Sequence, residues 1–186
     1  IPRGKRIVKH LLRSNQGAEL AVVCGRNQAL LKKIVALRAD RDPGAVKVFG
    51  YVDSVYEVLQ IADIVITKCG ASMFMETLFL GKIPIVNNYL WEQEKGNVDY
   101  LRRNQMGIYE RDTKALSAWV NKLFTDAHFQ NLYRGNIHRA RLVNGVGQVS
   151  EYIMKFDAVS PSPVPAVNGQ HSRPVLRRPV LAVSMR

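Results

Sequence analysis

A chain of 186 residues is long enough for one domain with a real core and short for two. Its 27 Lys+Arg against 15 Asp+Glu give a formal net charge of +12, which favours an anionic partner: phosphate-bearing substrates, an anionic membrane surface or nucleic acid. No apolar run approaches the roughly 20 residues of a spanning helix, and no basic stretch interleaved with aromatics offers the stacking platform of a single-strand binder. The charge is spread along the chain apart from short groups such as Lys32-Lys33, Arg102-Arg103 and Arg177-Arg178. Cys24 and Cys69 stand far apart after apolar runs and read as buried, reduced thiols. They and His10, His128, His138 and His171 show no paired ligand spacing, so no metal is expected. The sequence opens on Ile1 rather than methionine, so the absence of a signal or transit peptide from it proves nothing.

In chain order, Ile7, Val8, Leu11 and Leu12 form a helical stripe, and Glu19–Cys24 reads as a buried strand. Leu30, Leu31, Ile34 and Leu37 recur at helical spacing behind Asn27, a capping residue. The cluster Asp40-Arg41-Asp42-Pro43-Gly44 predicts a turn before a second strand at Val46–Phe49. Ser54-Val55-Tyr56-Glu57 has the spacing of a capping box and predicts a short helix. A third strand is expected at Asp63–Thr67, a helix from about Ala71 to Gly81, and a fourth strand at Ile83–Val86, with Pro84 near its start. The segment Asn87–Asn97 reads as a polar loop, and beyond Gln93 the pattern is mainly helical, with a short strand at Gly107–Tyr109. Ala115, Leu116, Trp119, Val120 and Leu123 mark one helix; others are expected at about Ala127–Leu142 and Gly147–Phe156. From Ala158 on, Pro161, Pro163, Pro165, Pro174 and Pro179 interrupt the chain and acids are absent, so 158–186 reads as a disordered tail. Its four arginines carry +4, leaving +8 for residues 1–157. The βαβα order predicts an α/β domain, a Rossmann-like parallel sheet with helices on both faces, over 1–157.

Such sheets bind ligands outside the carboxyl ends of their strands. Three segments fall at that edge: Cys24-Gly25-Arg26-Asn27, Thr67-Lys68-Cys69-Gly70-Ala71-Ser72, and Asn87–Asn97. In the second, Gly70, Ala71 and Ser72 lead straight into a helix, whose first N–H groups and dipole suit a phosphate. Glu76 lies one turn later, where a carboxylate can accept hydrogen bonds from a ribose diol; a plain solvated helix glutamate is the competing reading. Gln93 and Glu94 present both donors and acceptors, as sugar hydroxyls require, and Trp91 offers an apolar platform. A helix's first turn carrying surface charges would explain the same residues.

Order and spacing say more than any one loop. Thr67-Lys68-x-Gly70, Glu76, Gly81-x-x-Pro84 and Gln93-Glu94-Lys95-Gly96-Asn97 together resemble the donor domain of glycolipid-forming glycosyltransferases, the monogalactosyldiacylglycerol synthases and processive diacylglycerol glucosyltransferases. A more distant resemblance is to the lipid II-forming glucosaminyltransferase. Cys24-Gly25-Arg26-Asn27 and Phe49-Gly50-Tyr51-Val52 match as well, and the resemblance covers about residues 4–156. It implies the C-terminal half of a GT-B enzyme, in which two Rossmann-like domains face each other across a cleft. This half would bind UDP-galactose or UDP-glucose. The other would bind a lipid acceptor such as diacylglycerol and supply the catalytic base. By the same resemblance Glu76 would hold the ribose, Gln93, Glu94 and Asn97 the sugar side, and Gly70, Ala71, Ser72 and Met73 the diphosphate. Tyr51 and Val52 would face the uracil, with Arg26 beside them. Transfer would invert the anomeric centre without a metal or other cofactor, this half alone being inactive.

Three positions depart from the pattern: Met73 stands where a hydroxyl residue is usual, Trp91-Glu92 replaces Pro-Gly, and Ala71 replaces a second glycine or proline. The glycine-rich phosphate loop of the resemblance would precede Ile1. Location at a membrane face is implied, the chloroplast envelope in a plant or alga, with an anionic bilayer as a possible partner and nucleic acid excluded. Two other roles fit the same residues: a non-catalytic donor-binding subunit of a split glycosyltransferase, and a nucleotide-sugar epimerase.

Overall fold

The computed structural model describes residues 3–14, 17–38, 45–156 and 180–184. Helix α1 (Gly4–Ser14) buries Ile7, Val8 and Leu11 and turns its lysines and arginines outward. It leads into β1 (Glu19–Val23), then α2 (Gln28–Arg38) and β2 (Val46–Phe49). Asn27 caps α2 as expected, its Oδ1 accepting from the Leu30 N–H at 2.9 Å. The turn expected at 40–44 lies outside the described residues.

Helix α3 (Val55–Ile61) begins where the capping box predicts, but Ser54 makes no side-chain cap bond and is instead one of the residues lining a cleft. Strand β3 (Ile64–Lys68), helix α4 (Ala71–Phe79) and strand β4 (Ile83–Asn88) follow. The chain leaves α4 through Gly81 at φ 66°, a left-handed conformation that glycine adopts without steric cost.

The segment read as a loop to Asn97 is instead the start of α5 (Trp91–Arg103). Its sequence is polar because one side of the helix faces solvent, while Val98 and Leu101 are buried. Strand β5 (Ile108–Tyr109) comes next, preceded by Gly107, where a Cβ would collide with the Pro84 carbonyl oxygen. Helices α6 (Thr113–Thr125), α7 (Ala127–Arg139) and α8 (Val146–Phe156) complete the helical part. Asp112 caps α6 by accepting from the N–H groups of Lys114 and Ala115. Arg134 of α7 pairs with Asp63 at 2.6 Å. Helix α8 stands away from the core with Val149 and Ile153 exposed.

Val180–Ser184 fall inside the segment expected to be disordered, yet they form β6, which corrects that expectation for these five residues. Val-Leu-Ala-Val is an apolar, β-prone run just after Pro179, and its backbone pairs on both sides. The rest of that segment, 157–179 and 185–186, lies outside the described residues.

The sheet has the order β2-β1-β6-β3-β4-β5, and every pairing is parallel. Parallel sheets need both faces covered, so their strands are apolar throughout rather than alternating with polar residues. Leu20, Val22, Ile64 and Ile66 face the larger core, which also holds Ile7, Leu11, Ile34, Phe74, Leu116 and Val120. Ala21, Val23, Val65 and Ala182 face a smaller one closed by Val55, Val58 and Leu59 of α3.

Candidate functional site

Strand order reverses at β6: β1 runs outward to β2 on one side, and β3 to β4 and β5 on the other. A reversal leaves a crevice at the carboxyl edge, where neighbouring loops diverge. A cleft of about 580 Å³ opens there, between the start of α3 and the β3–α4 turn. Gly70, Ala71, Ser72, Met73 and Glu76 line it, as the sequence predicts. Asp53, Ser54, Tyr56, Thr67 and Lys68 line it too. Of these, Thr67 and Lys68 stand in the motif of the resemblance, whereas Asp53, Ser54 and Tyr56 stand outside it and enter because α3 starts at this edge.

The α4 N-terminus opens onto this cleft. Gly70 is its N-cap, with φ −67° and ψ 135°, and makes no side-chain cap bond, having no side chain. The first N–H groups of a helix have no partner within it, so Ala71, Ser72 and Met73 present donors backed by the helix dipole. The Met73 side chain turns toward the smaller core rather than into solvent.

On the α5 side the residues are bonded to one another. The Glu94 carboxylate accepts from the Leu90 N–H at 2.6 Å and lies 3.7 Å from Lys68 Nζ. It also lies close to Gly70, where a Cβ would come within 3.4 Å of Glu94 Oε1. Asn97 Nδ2 donates to the Cys69 carbonyl at 3.1 Å, and the Cys69 N–H donates to Asn88 O at 3.0 Å. Asn97 thus anchors α5 to the β3–α4 turn. Burial pushes the Cys69 thiol up to about 12, and the Glu94 carboxylate adds to the shift. Gln93 is exposed one residue before Glu94. Trp91 has a left-handed φ of 55° and is 85% exposed.

Beyond β6, Arg26 and Tyr51 come together: the guanidinium sits 4.9 Å from the ring centroid, a cation–π distance. Tyr51 is 54% exposed, and Val52 packs against the smaller core. These residues follow β1 and β2 and lie outside the cleft's lining, although they share its edge of the sheet.

A second cleft, about 740 Å³, lies between α1 and α2 and is strongly basic: Arg3, Lys5, Arg6, Lys9, Arg13 and Lys33 line it. Through Arg38 the chain holds nine Lys+Arg (3, 5, 6, 9, 13, 26, 32, 33, 38) against Glu19 alone, a net +8 (9 − 1) of the +12 total. Six of these nine cations, dispersed in sequence, line the one cleft. Among the described residues no helix is long and apolar enough to cross a membrane.

The parallel sheet, the crevice at its switch point and the helix start facing it define a ligand-binding α/β domain. The chain belongs to the family of the glycosyltransferase family 28 C-terminal domain, whose model matches residues 6–142. It is 31% identical over 124 residues to the probable monogalactosyldiacylglycerol synthase 2, chloroplastic, of Oryza sativa subsp. indica, covering 67% of this chain and 26% of that protein. To the spinach (Spinacia oleracea) monogalactosyldiacylglycerol synthase it is 34% identical over 106 residues, 57% of this chain and 20% of that one. To the processive diacylglycerol beta-glucosyltransferase of Bacillus subtilis it is 28% identical over 151 residues, 81% and 39%. The chain therefore spans about a fifth to two-fifths of the length of these relatives. In fold it resembles the glycotransferase of kitacinnamycin, with a TM-score of 0.51 at 19% identity over 76% of this chain and 44% of that one. The expected half of a GT-B fold agrees with that likeness.

Proposed function

We propose that this domain binds the nucleotide-sugar donor of a hexosyltransferase that builds glycolipids, with UDP-galactose or UDP-glucose as donor and diacylglycerol as acceptor. One observation carries the reading: the cleft at the switch point joins a helix N-terminus to a carboxylate one turn further on. Its volume of about 580 Å³ falls in the usual range for small-molecule sites. The N–H groups of Ala71, Ser72 and Met73 take the diphosphate, and Glu76 accepts from the ribose hydroxyls. Gln93 reaches the sugar, with Glu94 held behind it by Leu90 and Lys68. Arg26 and Tyr51 flank the base. The relatives' names, which speak of diacylglycerol and its galactosyl and glucosyl derivatives, support the choice of sugar and acceptor.

In this reading the diphosphate leaves as an anion stabilised by fixed backbone donors and the helix dipole, a stabilisation that requires no metal. The acceptor and the base that deprotonates it come from outside these 186 residues, so the chain by itself binds donor without turnover. The basic cleft between α1 and α2 supports peripheral attachment to an anionic bilayer, where such an acceptor resides.

Titrating UDP while following thermal unfolding tests the reading. Binding should raise the midpoint through a stabilisation that grows with the logarithm of ligand concentration, about 2.7 kcal/mol of free energy at 100 times Kd. GDP and ADP should do less. No shift at millimolar UDP would remove the donor-site assignment.

A further inference from the structure

The chain passes from β4 into α5 through Asn88, Tyr89 and Leu90, and each of the three is fastened. The Asn88 carbonyl accepts from the Cys69 N–H at 3.0 Å, the Tyr89 ring lies 5.9 Å from that of Tyr109, and the Leu90 N–H donates to Glu94 Oε2 at 2.6 Å. Trp91 follows, 85% exposed, the highest value for any large apolar residue among the described ones. Its φ of 55° is left-handed, a conformation that costs a tryptophan energy and a glycine none. The residue therefore counts against stability twice, through backbone strain and through apolar surface left in water. It is also a position at which the chain departs from the pattern it otherwise resembles.

The fastening points put this residue at the rim of the cleft. Cys69 adjoins Gly70, the N-cap of α4 and part of the cleft lining, and Glu94 lies 3.7 Å from Lys68 Nζ, which belongs to another lining residue. Trp91 is three residues from Asn88, at most about 11 Å of chain. It stands two residues before Gln93, which the proposed function assigns to the donor's sugar. A pyranose needs two kinds of contact: hydrogen bonds for its ring of hydroxyls and apolar surface for its C–H face. The Gln93 amide supplies the first, and the Trp91 indole, broad and rigid, supplies the second.

We propose that Trp91 is the platform on which the donor's hexose stacks, and that it sets a preference for galactose over glucose. The inference rests on the donor-binding reading given above. The preference follows from stereochemistry. In galactose the axial hydroxyl at C4 leaves the C–H groups of C3, C4 and C5 on one face of the ring, as a continuous apolar patch. In glucose the hydrogens alternate between the two faces, so neither carries such a patch. Stacking removes C–H surface and indole surface from water together, and the sugar with the patch gains more from it. The fastened backbone beneath the ring suits this use, because the platform is in place before the ligand arrives.

Replacing Trp119, the other tryptophan, by phenylalanine lets fluorescence report on Trp91 alone. In that chain UDP-galactose should shift the emission to the blue and shield the ring from acrylamide, whereas UDP should do neither. In the unaltered chain UDP-galactose should bind more tightly than UDP-glucose. W91A should weaken UDP-galactose at least about tenfold, bring the two sugars within about twofold of each other and leave UDP unchanged. W91F should restore part of the preference. Emission that stays that of a solvated indole at saturating UDP-galactose overturns the proposal, as does a W91A chain that binds UDP-galactose like the unaltered one. An emission shift produced by anionic vesicles without donor, and indifferent to UDP-galactose, also overturns it and makes the ring a membrane contact. If W119F does not fold, the affinities of W91A and W91F decide alone. UDP that fails to bind the unaltered chain removes the donor reading and this inference with it. Where UDP binds and W91A changes no sugar affinity, only the part given to Trp91 falls.

Discussion

The two sides of the switch point are built differently. On the β3–β4 side, the pairs Lys68–Glu94 and Cys69–Asn97 link the turn before α4 to the start of α5, and Glu94 also accepts from the Leu90 N–H. On the β1–β2 side, Arg26 and Tyr51 meet through one cation–π contact, with Tyr51 largely in solvent. Under the proposed donor binding, the first side is preorganised and costs little to order, whereas Arg26 and Tyr51, outside the cleft's lining, would have to be immobilised on binding. Preorganisation suits the diphosphate and sugar, whose oxygens need fixed donors, and an adaptable side suits the flat face of a base.

The largest expected contrast is in thiol chemistry. With Cys69 pushed up to about 12 from an ordinary 9.0, its thiolate fraction at pH 8.5 falls about a thousandfold, and alkylation by iodoacetamide should slow at least in proportion. The linked stability has a definite sign. The folded state holds the proton more tightly, so this contribution is complete below pH 9 and is lost as pH rises toward 12. Cys69→Ala should flatten that part of the pH–stability profile, and rapid alkylation of the folded chain would show that the wall is not closed.

Glu94→Ala should cost about ten- to a hundredfold in UDP-sugar affinity, with 1–3 kcal/mol of stability lost (an order-of-magnitude range for a charge-assisted bond). Calorimetry and denaturant melts would measure both, and an unchanged melt would mean that the Glu94 bonds are not holding the wall. Asn97→Leu removes only the bond to the Cys69 carbonyl and should cost about 1 kcal/mol, read in the same melts. Trp91→Gly should go the other way, gaining roughly 0.5–1 kcal/mol, because glycine accepts the left-handed φ and little packing is lost from an exposed ring. Arg26→Ala closes the series: a few-fold change in UDP affinity and under about 0.5 kcal/mol in stability. An Arg26→Ala melt as damaging as that of Glu94→Ala would erase the distinction between the walls.

Much of this was legible in sequence, for identifiable reasons. The buried parallel strands announce themselves as apolar runs such as Leu20–Val23 and Ile64–Ile66, and Asn27 marks a cap that the structure contains. Gly70–Met73 and Glu76 lie where their spacing puts them, on one cleft. The start of α5 was hidden because Trp91–Asn97 has almost no apolar periodicity; the helix shows its buried side only at Val98 and Leu101. The capping box at Ser54 predicted the helix but not the place of the residue itself, which depends on a cleft formed by residues distant in sequence. β6 was illegible for a sharper reason. Four apolar residues and a serine after Pro179 carry no sign of the two strands they pair with, since that pairing exists only once β1 and β3 are in place. Asp53 and Tyr56 were missed likewise, because tertiary structure brings them to the edge.

The outer strands of the sheet raise a separate matter. Among the described residues β2 and β5 are its edges, and an edge offers unpaired backbone groups to any other chain. β5 limits the exposure by being two residues long. β2 has four residues with Lys47 in the middle, half-exposed and 3.7 Å from Glu19 on the neighbouring strand. A lysine there obliges any strand that docked alongside to bury or displace a charge, so Lys47 acts as a guard against aggregation. Replacing it with valine would improve local β-propensity and remove the obstacle to edge-to-edge strand pairing, and Lys47→Val should lower the concentration at which the protein precipitates on warming.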